Sequence, residues 1–388
     1  MKVLLGLSGG VDSAIAAYLL QKQGYDVTCC FMRNWDSFAN NDILGNPLIQ
    51  SDICPQEQDY LDAKAVAEHL GLTLDRVDFI EDYWNKVFLT FLEEYKKGRT
   101  PNPDILCNQY IKFDAFFQYA MDHGYDMVAT GHYASTQQKD GFTYLARAAD
   151  TNKDQTYFLC QVAPEAIAKT LFPLGNITKS EVRKLAEELD LESVMKKKDS
   201  TGICFIGERN FREFLSNYLP SKPGEIIDIN TGKIVGEHIG VLYYTIGQRK
   251  GLHIDHEKGP WFVIGKDVET NRLFVTHHTQ KQWLSSDQAL IKNINWIVED
   301  KTSIPQELTC KFRYRQKDQD VKLKWITNDS VLLSYPQGIE GVTEGQEAVL
   351  YDGELCLGGG VIDVVYKEGK ILHDTILQRY EELRHGRD

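Results

Sequence analysis

Val3-Leu4-Leu5-Gly6-Leu7-Ser8-Gly9-Gly10-Val11-Asp12-Ser13 stands near the start of the chain. Its apolar part, Val3–Leu7, reads as a buried strand. Ser13–Gln23 reads as a helix with Ile15, Leu19 and Leu20 on one side and Gly24 as its stop. Between them the two glycines let the backbone approach an anion. The helix N-terminus adds unpaired N–H groups and a positive dipole. Ser8 and Ser13 add hydroxyl donors. No Lys-Ser/Thr pair follows, so this is not a Walker A loop, and the G-x-G-x-x-G spacing is missing too. A lone Gly-Gly would be an ordinary turn. The flanking serines and Asp12 favour a phosphate cradle.

The same rhythm continues outward. Val27–Met32 is a strand, Gln56–Leu70 a helix stopped by Gly71, and Leu74–Val77 a strand. Ile111–His123 is a helix stopped by Gly124, and Met127–Thr130 a strand. The alternation predicts an α/β unit, a doubly wound parallel sheet with helices on both faces. Residues 36–55 interrupt it as a long polar loop. Thr178-Lys179-Ser180-Glu181 is a capping box opening a helix over Lys179–Leu189.

After about residue 210 the texture changes to runs of period two: Gly240–Ile246, Trp261–Lys266, Leu273–Thr276, Leu308–Tyr314, Val321–Ile326 and Ala348–Leu350. Asp352-Gly353 is a hairpin signal. The expected organisation is a catalytic unit at 1–210, a small mixed or β middle unit at 211–280 and a C-terminal β-barrel at 284–370. A charged tail compatible with a helix fills 371–388.

The 388 residues, at roughly 150 per domain, fit two or three such units. With 43 basic and 56 acidic residues the net charge is −13, which excludes a generally basic nucleic-acid coat but not a local basic site. No apolar run reaches the roughly 18 residues of a membrane span, so no membrane partner is expected. No signal peptide or presequence is read at the N-terminus. The expected location is the cytoplasm, with a mitochondrial matrix after presequence removal as the alternative. The eight cysteines form no C-x-x-C pair, so a zinc ribbon has no support.

Two cysteine segments carry chemistry. Arg99-Thr100-Pro101-Asn102-Pro103-Asp104-Ile105-Leu106-Cys107-Asn108 is a proline-stiffened loop ahead of a helix. A thiol beside a helix start can have a depressed pKa. Asp104 is placed to act as acid or base. Lys196-Lys197-Lys198-Asp199-Ser200-Thr201-Gly202-Ile203-Cys204-Phe205-Ile206-Gly207 sets a second thiol in an electropositive, loop-like setting. Each thiol alone could be inert. Cys29, Cys30 and Cys160 lie in apolar runs and read as core, and Cys310 and Cys356 fall in barrel strands. Cys54 lies in the polar insertion with no role assigned.

Ser8-Gly9-Gly10-Val11-Asp12-Ser13 resembles the loop of the adenylating ATP pyrophosphatases. The paired cysteine segments narrow the resemblance to the bacterial and mitochondrial tRNA-specific 2-thiouridylase family. So do Gly131-His132-Tyr133-Ala134, Lys153-Asp154-Gln155-Thr156-Tyr157-Phe158-Leu159, Tyr244–Leu252 and Arg313-Tyr314-Arg315-Gln316. It spans residue 2 to about residue 365. It implies that ATP, with Mg2+, adenylates the C2 oxygen of wobble uridine 34 in tRNAs of the Lys, Glu and Gln type. AMP and pyrophosphate are released. A persulfide on Cys204, loaded by an upstream sulfur carrier, would deliver sulfur. Cys107 would release sulfide from it or close a transient Cys107–Cys204 disulfide. ATP would lie on Gly6, Leu7, Ser8, Gly9, Gly10, Val11, Asp12 and Ser13, with Asp12 near magnesium, Met32 near adenine and Gly131 near the nucleotide. Asn102, Pro103 and Asp104 would contact the target base. His132, Lys153, Asp154, Gln155 and Gln346 would contact tRNA.

A physical argument points to the same partner. Lys311, Arg313, Arg315, Lys317, Lys322 and Lys324 face only Asp318 and Asp320 in that stretch, with Phe312, Tyr314 and Trp325 interleaved. On a strand, Lys311, Arg313 and Arg315 would share one face and form a phosphate-binding strip with aromatics for stacking. A solvated strand face is the plainer alternative. Two other functions share part of these features: an ammonia-using adenylating enzyme, which needs no thiol pair, and a non-catalytic RNA-binding module.

Overall fold

The computed structural model describes residues 1–44, 55–197, 211–254 and 259–385. Its first unit is built on five parallel strands in the order Thr73–Asp78, Asp26–Arg33, Lys2–Gly6, Met127–Ala129, Thr170–Leu171. Alternate residues of the central strand serve two cores. Leu4 packs with Met32, Cys107 and Phe116 on one face, and Val3 and Leu5 with Ile15 and Ala63 on the other. This is the expected α/β sheet, covered by helices on both sides. The strand order reverses between Lys2–Gly6 and Met127–Ala129, so a crevice opens at their carboxyl ends, where ligands of such sheets sit.

The helix Val11–Lys22 begins right after Gly10, and Pro55–Leu70 fills the place of the second expected helix. The loop before the latter is described only to residue 44. A further helical run begins at Pro103 rather than at Ile111. Pro103–Cys107 is α-helical, Asn108–Ala115 is π-helical, and Phe116–Asp122 returns to α. The cause is local. Asn102 Oδ1 accepts the N–H groups of Asp104 (3.1 Å) and Ile105 (3.4 Å), and Pro103 fills the first helical position. Cys107 is therefore inside a helix and not in a loop.

The middle unit is a four-stranded sheet in the order Trp261–Asp267, Arg272–His277, Gly224–Asp228, Ile234–His238. The run Gly240–Ile246, expected as a strand, is a short 3-10 turn at Val241–Tyr243 and irregular chain beyond it.

In the C-terminal unit six strands close on themselves. Ser285–Trp296 pairs with Val331–Glu340 on one side and with Leu355–Lys367 on the other, and Gln319–Trp325, Glu307–Lys311 and Glu347–Asp352 complete the circuit. The turn at Gly353-Glu354 links Asp352 to its partner Leu355.

Two connections were not legible. The hairpin Ser135–Lys139/Phe142–Ala146 leaves the first unit and joins the barrel sheet, with Ala146 opposite Leu355 and Leu145 opposite Cys356. The tail is a helix, Leu372–His385. Its buried Leu372, Ile376 and Tyr380 lie one helical turn apart, and Tyr380 meets Phe274 of the middle sheet at 5.3 Å. Cys29, Cys30, Cys160, Cys310 and Cys356 are buried in the cores, and burial pushes the Cys29, Cys30 and Cys356 thiols up to about 12. No helix among the described residues is long and apolar enough to cross a membrane.

Candidate active site at the switch point of the sheet

The loop after Lys2–Gly6 is held by its own hydroxyls. Ser8 N–H donates to Ser13 Oγ (3.1 Å), and Ser13 Oγ donates to Gly10 O (3.0 Å). Leu7 N–H still bonds Cys30 O (2.9 Å), so the strand's pairing runs to the lip of the loop. Gly9 turns the chain at φ +71°, and a Cβ there would stand 2.2 Å from Asp59 O. Only glycine fits. Gly131 is equally constrained: a Cβ on it would lie 2.7 Å from Ser13 N and 2.9 Å from Asp12 C. Gly131 thus abuts the start of the loop's helix, and its lack of a side chain lets the two ends of the crevice close up. Met32 reaches back over Gly6, whose added Cβ would meet Met32 Cε at 2.9 Å, and is itself buried.

Asp12 is the carboxylate of the loop. Lys179 Nζ donates to its Oδ1 (2.6 Å) and Oδ2 (2.8 Å), and Tyr133 OH donates to Oδ1 (2.8 Å). Gln155 grips Tyr133 by two backbone bonds: its N–H to Tyr133 O (2.8 Å), and its Oε1 from Tyr133 N–H (2.9 Å). A chain of contacts therefore runs Gln155–Tyr133–Asp12–Lys179. Lys179, at the start of the capped helix, is a cation at the loop that the sequence reading missed. The signal was the capping box itself, which fixes where that helix begins. Lys197 is a second. Its Nζ donates to Gly9 O (3.0 Å), Asp59 Oδ1 (2.5 Å) and Asp62 Oδ2 (2.8 Å). Burial lowers its pKa, but the bonds from Asp59 and Asp62 outweigh that and hold the ammonium above its ordinary value.

The helical run that begins with Pro103–Cys107 packs on the sheet face of Leu4 and Met32. Phe116, further along the same helical run, would touch a Cβ on Gly6 at 3.9 Å, and Phe113 meets the His132 ring at 5.8 Å. Cys107 is fully buried and Asp104 is half-buried. Cys204 and Cys54 lie outside the described residues.

A family model for a tRNA methyl transferase HUP domain matches residues 1–208, one for a tRNA methyl transferase PRC-barrel domain matches 212–277, and one for an aminomethyltransferase beta-barrel domain matches 286–362. Curated relatives span nearly the whole chain. The tRNA-specific 2-thiouridylase MnmA of Mycoplasmopsis pulmonis is 54% identical over 94% of this chain and 97% of its own length. The proteins of the same name from Mesoplasma florum (53%; 94% and 99%) and Acholeplasma laidlawii (51%; 95% and 98%) match likewise. The chain belongs to the tRNA-specific 2-thiouridylase family. Among solved structures, NMN synthetase from Francisella tularensis aligns at TM-score 0.31 with 20% identity, over 52% of this chain and 67% of that one. That likeness is too loose to bear on the reading.

The residues expected at the thiouridylase's tRNA surface fall into two groups. Some are structural. The strand Glu307–Lys311 stops at Lys311, and residues 312–316 form a turn in which Gln316 N–H bonds Arg313 O (3.0 Å). The expected single face of Lys311, Arg313 and Arg315 does not exist. Arg313 donates inward to Ile246 O (2.7 Å), Gly341 O (2.7 Å) and Thr343 Oγ1 (2.8 Å), tying the middle unit to the barrel. Asp154 is buried and accepts from Ala148 N–H and Thr156. Gln346 Nε2 donates to Thr100 O (2.5 Å), so the barrel braces the segment leading to Asn102. The others remain at or near the surface. Arg315, Lys317, Lys322 and Lys324 are exposed, and Lys153 is half-buried. Tyr314 packs on Phe158 at 4.4 Å, and Phe158 O accepts from Asn108 Nδ2 (2.9 Å), next to Cys107. Burial, with Lys112 nearby, holds His132 well below the usual histidine pKa, so it is a neutral hydrogen-bonding group and not a phosphate-binding cation.

Proposed function

We propose that this thiouridylase converts wobble uridine 34 of tRNA to 2-thiouridine at the expense of ATP. What supports the reading is that Cys107 shares a buried core with Leu4, on the strand that leads into the Ser8–Ser13 loop, and with Met32 of the neighbouring strand. ATP binds with its phosphates on the loop N–H groups and on Ser8 and Ser13. Lys179 and Lys197 supply positive charge on either side. The uracil O2 attacks the α-phosphorus, pyrophosphate leaves, and the base carries an O2-adenylate. The terminal sulfur of a Cys204 persulfide attacks C2, and AMP departs. Cys107 then attacks Cys204 Sγ, closing a Cys107–Cys204 disulfide and breaking the Sγ–S bond so that the sulfur stays on C2; alternatively Cys107 attacks Cys204 Sγ first, expelling hydrosulfide, which itself attacks C2 and displaces AMP. A cellular dithiol then reduces the disulfide. Asp104 moves the proton, and Asn102 with Pro103 positions the base.

Magnesium fits here only as an ion carried by the phosphates. No group of three His, Cys, Asp or Glu among the described residues could hold a metal, and Asp12 is one carboxylate already paired with Lys179. It would neutralise the departing pyrophosphate. The target base leaves its stack to reach the crevice. Arg315, Lys317 and Lys153 bind tRNA phosphates. The relatives named above are bacterial, which favours a cytoplasmic location over a mitochondrial one. Among tRNAs, those of the Lys, Glu and Gln type are the expected substrates.

The test is a single-turnover assay with ATP, a persulfide donor and unmodified tRNA, read by nucleoside mass and AMP. One sulfur for oxygen at position 34 is expected. Cys107→Ser and Cys204→Ser should each abolish it with tRNA affinity nearly unchanged. Thiolation that survives either change removes that cysteine from the scheme. AMP without a thiolated nucleoside would restore the ammonia-using alternative.

A further inference from the structure

We propose that a cavity where the three units meet binds a zwitterionic α-amino acid with an apolar side chain. No residue of the nucleotide loop lines it, and the inference does not depend on the thiolation reading. The cavity measures about 460 Å³, within the range of about 300–1,000 Å³ usual for small-molecule sites. Its wall is drawn from Lys97 and Gly98 of the first unit, the strand Trp261–Asp267 of the middle unit, residues 342–344 and Val365 of the barrel, and the start of the helix Leu372–His385. Ile264, Val365, Ile376 and Leu377 make one part of that wall apolar.

The cavity holds a buried ammonium. Lys266, one of its lining residues, is 7% exposed. Its Nζ donates to Tyr244 O (2.9 Å), its one hydrogen bond among the described residues. An ammonium carries three N–H donors, so two are unspent. Burial draws Lys266 down to about 8 against the upward pull of Glu344, which leaves it a cation at neutral pH. Buried polar groups ordinarily find partners, and two open donors on a buried cation beside a cavity call for an occupant that accepts them.

The same wall carries a carboxyl. Burial holds Glu344 above the usual carboxylate range, against the pull of His373, Arg99 and the Val365 N–H. Lys266 and Glu344 act on each other's charge, yet no ion pair joins them among the described residues. A plain anion on Lys266 would meet Glu344, and a plain cation on Glu344 would meet Lys266, each a like-charge contact. A ligand with the opposite order of charges satisfies both: a carboxylate on Lys266 and an ammonium on Glu344. An α-amino acid bears those two groups on one carbon, and its side chain takes the apolar wall. The other charged residues do not compete. Asp267 Oδ1 is taken by the Glu269 N–H (3.1 Å) and the Thr270 N–H (3.2 Å), and Lys97, Glu269 and Asp374 are exposed at the rim.

The experiment is calorimetric titration of the full chain at neutral pH with L-leucine, glycine, isocaproate (leucine without its ammonium) and isoamylamine (leucine without its carboxylate), with thermal unfolding as the fold control. L-leucine should bind at one site per chain and raise the unfolding temperature. Glycine, isocaproate and isoamylamine should each bind about tenfold more weakly or less. Lys266→Met and Glu344→Gln should each weaken leucine about tenfold. Leu377→Trp, which fills the apolar part and leaves both charged groups in place, should abolish binding, and it carries the test if Lys266→Met does not fold. Wild type that takes up no leucine at millimolar concentration would leave the cavity to water and overturn the proposal. Isocaproate or isoamylamine bound as tightly as leucine would overturn the zwitterion. Leucine binding unchanged in Lys266→Met or in Leu377→Trp would put the ligand elsewhere and overturn the site.

Discussion

Arg313 and Arg315 stand two positions apart and do opposite work. Arg313 gives its guanidinium to two backbone carbonyls and a hydroxyl across the seam between the middle unit and the barrel. Arg315 is exposed on the turn. Arg313→Ala strands three acceptors and should destabilise the protein by about 1.5–3 kcal/mol in urea unfolding. The salt dependence of tRNA binding should stay unchanged. Arg315→Ala should leave stability alone and reduce the salt slope by about 1. Equal loss of slope in both would put Arg313 back on the RNA. Glu347 is the other informative residue. Burial pushes its carboxyl up to about 8 against the pull of its own backbone bond, and Oε2 has no hydrogen-bond partner among the described residues. Its folded pKa lies above the unfolded 4.5, so between those values the native state holds a proton that the unfolded state has lost. Stability therefore declines from pH 4.5 to 8 through this group. Glu347→Gln should flatten that decline relative to wild type in thermal unfolding, and parallel curves would show that Glu347 does not titrate there. Residue types were legible in the sequence, but their partners were not. Nothing in Lys153-Asp154-Gln155 announces that the Asp is buried and that the Gln holds Tyr133, because those partners lie up to 22 residues away.

At the scale of elements, local chemistry was read well where it is local. The strand–loop–helix at Val3–Ser13, the capping box at Thr178 and the hairpin signalled by Asp352-Gly353 each depend on a few adjacent residues, and each forms, the hairpin with its turn one residue later at Gly353-Glu354. The helix start at Pro103 was equally local, but Asn-Pro was read as loop chemistry when it is also a cap followed by a first-turn proline. That distinction has a consequence for Asn102. Asn102→Ala should cost about 1 kcal/mol through the lost cap, whereas Asn102→Ser keeps the cap. If Asn102 also contacts the base, both variants lose thiolation while only the alanine loses stability. Activity that follows stability in both would leave Asn102 a cap alone. The strand expected to run to Tyr314 failed for a different reason. Alternating basic and aromatic residues fit a strand pattern, yet the inward bonds of a half-buried Arg313 and the Phe312 N–H bond to Gln316 Oε1 (2.9 Å) favour a turn.

For the whole molecule, three composition zones were visible, but the contacts that make one body of them were not. Gln346 on Thr100, Arg313 across the seam, Tyr380 on Phe274 and the hairpin on the barrel are all long-range. Periodicity along the chain carries no information about which distant edges meet. The segment leading into the Cys107 helix is consequently braced by a barrel residue 246 positions later. The hairpin makes this a matter of timing. Ala146 pairs with Leu355, a separation of 209 residues (355 − 146). At ribosomal speeds of 5–20 residues per second, the Phe142–Ala146 edge emerges about 10–40 s before its partner exists. For that interval a nascent chain carries an open β-edge, the kind of surface on which chains of a polysome pair with one another. Phe142–Ala146 is short, and its sister strand ends in Gln137-Gln138-Lys139, polar and charged residues that discourage such pairing while synthesis continues.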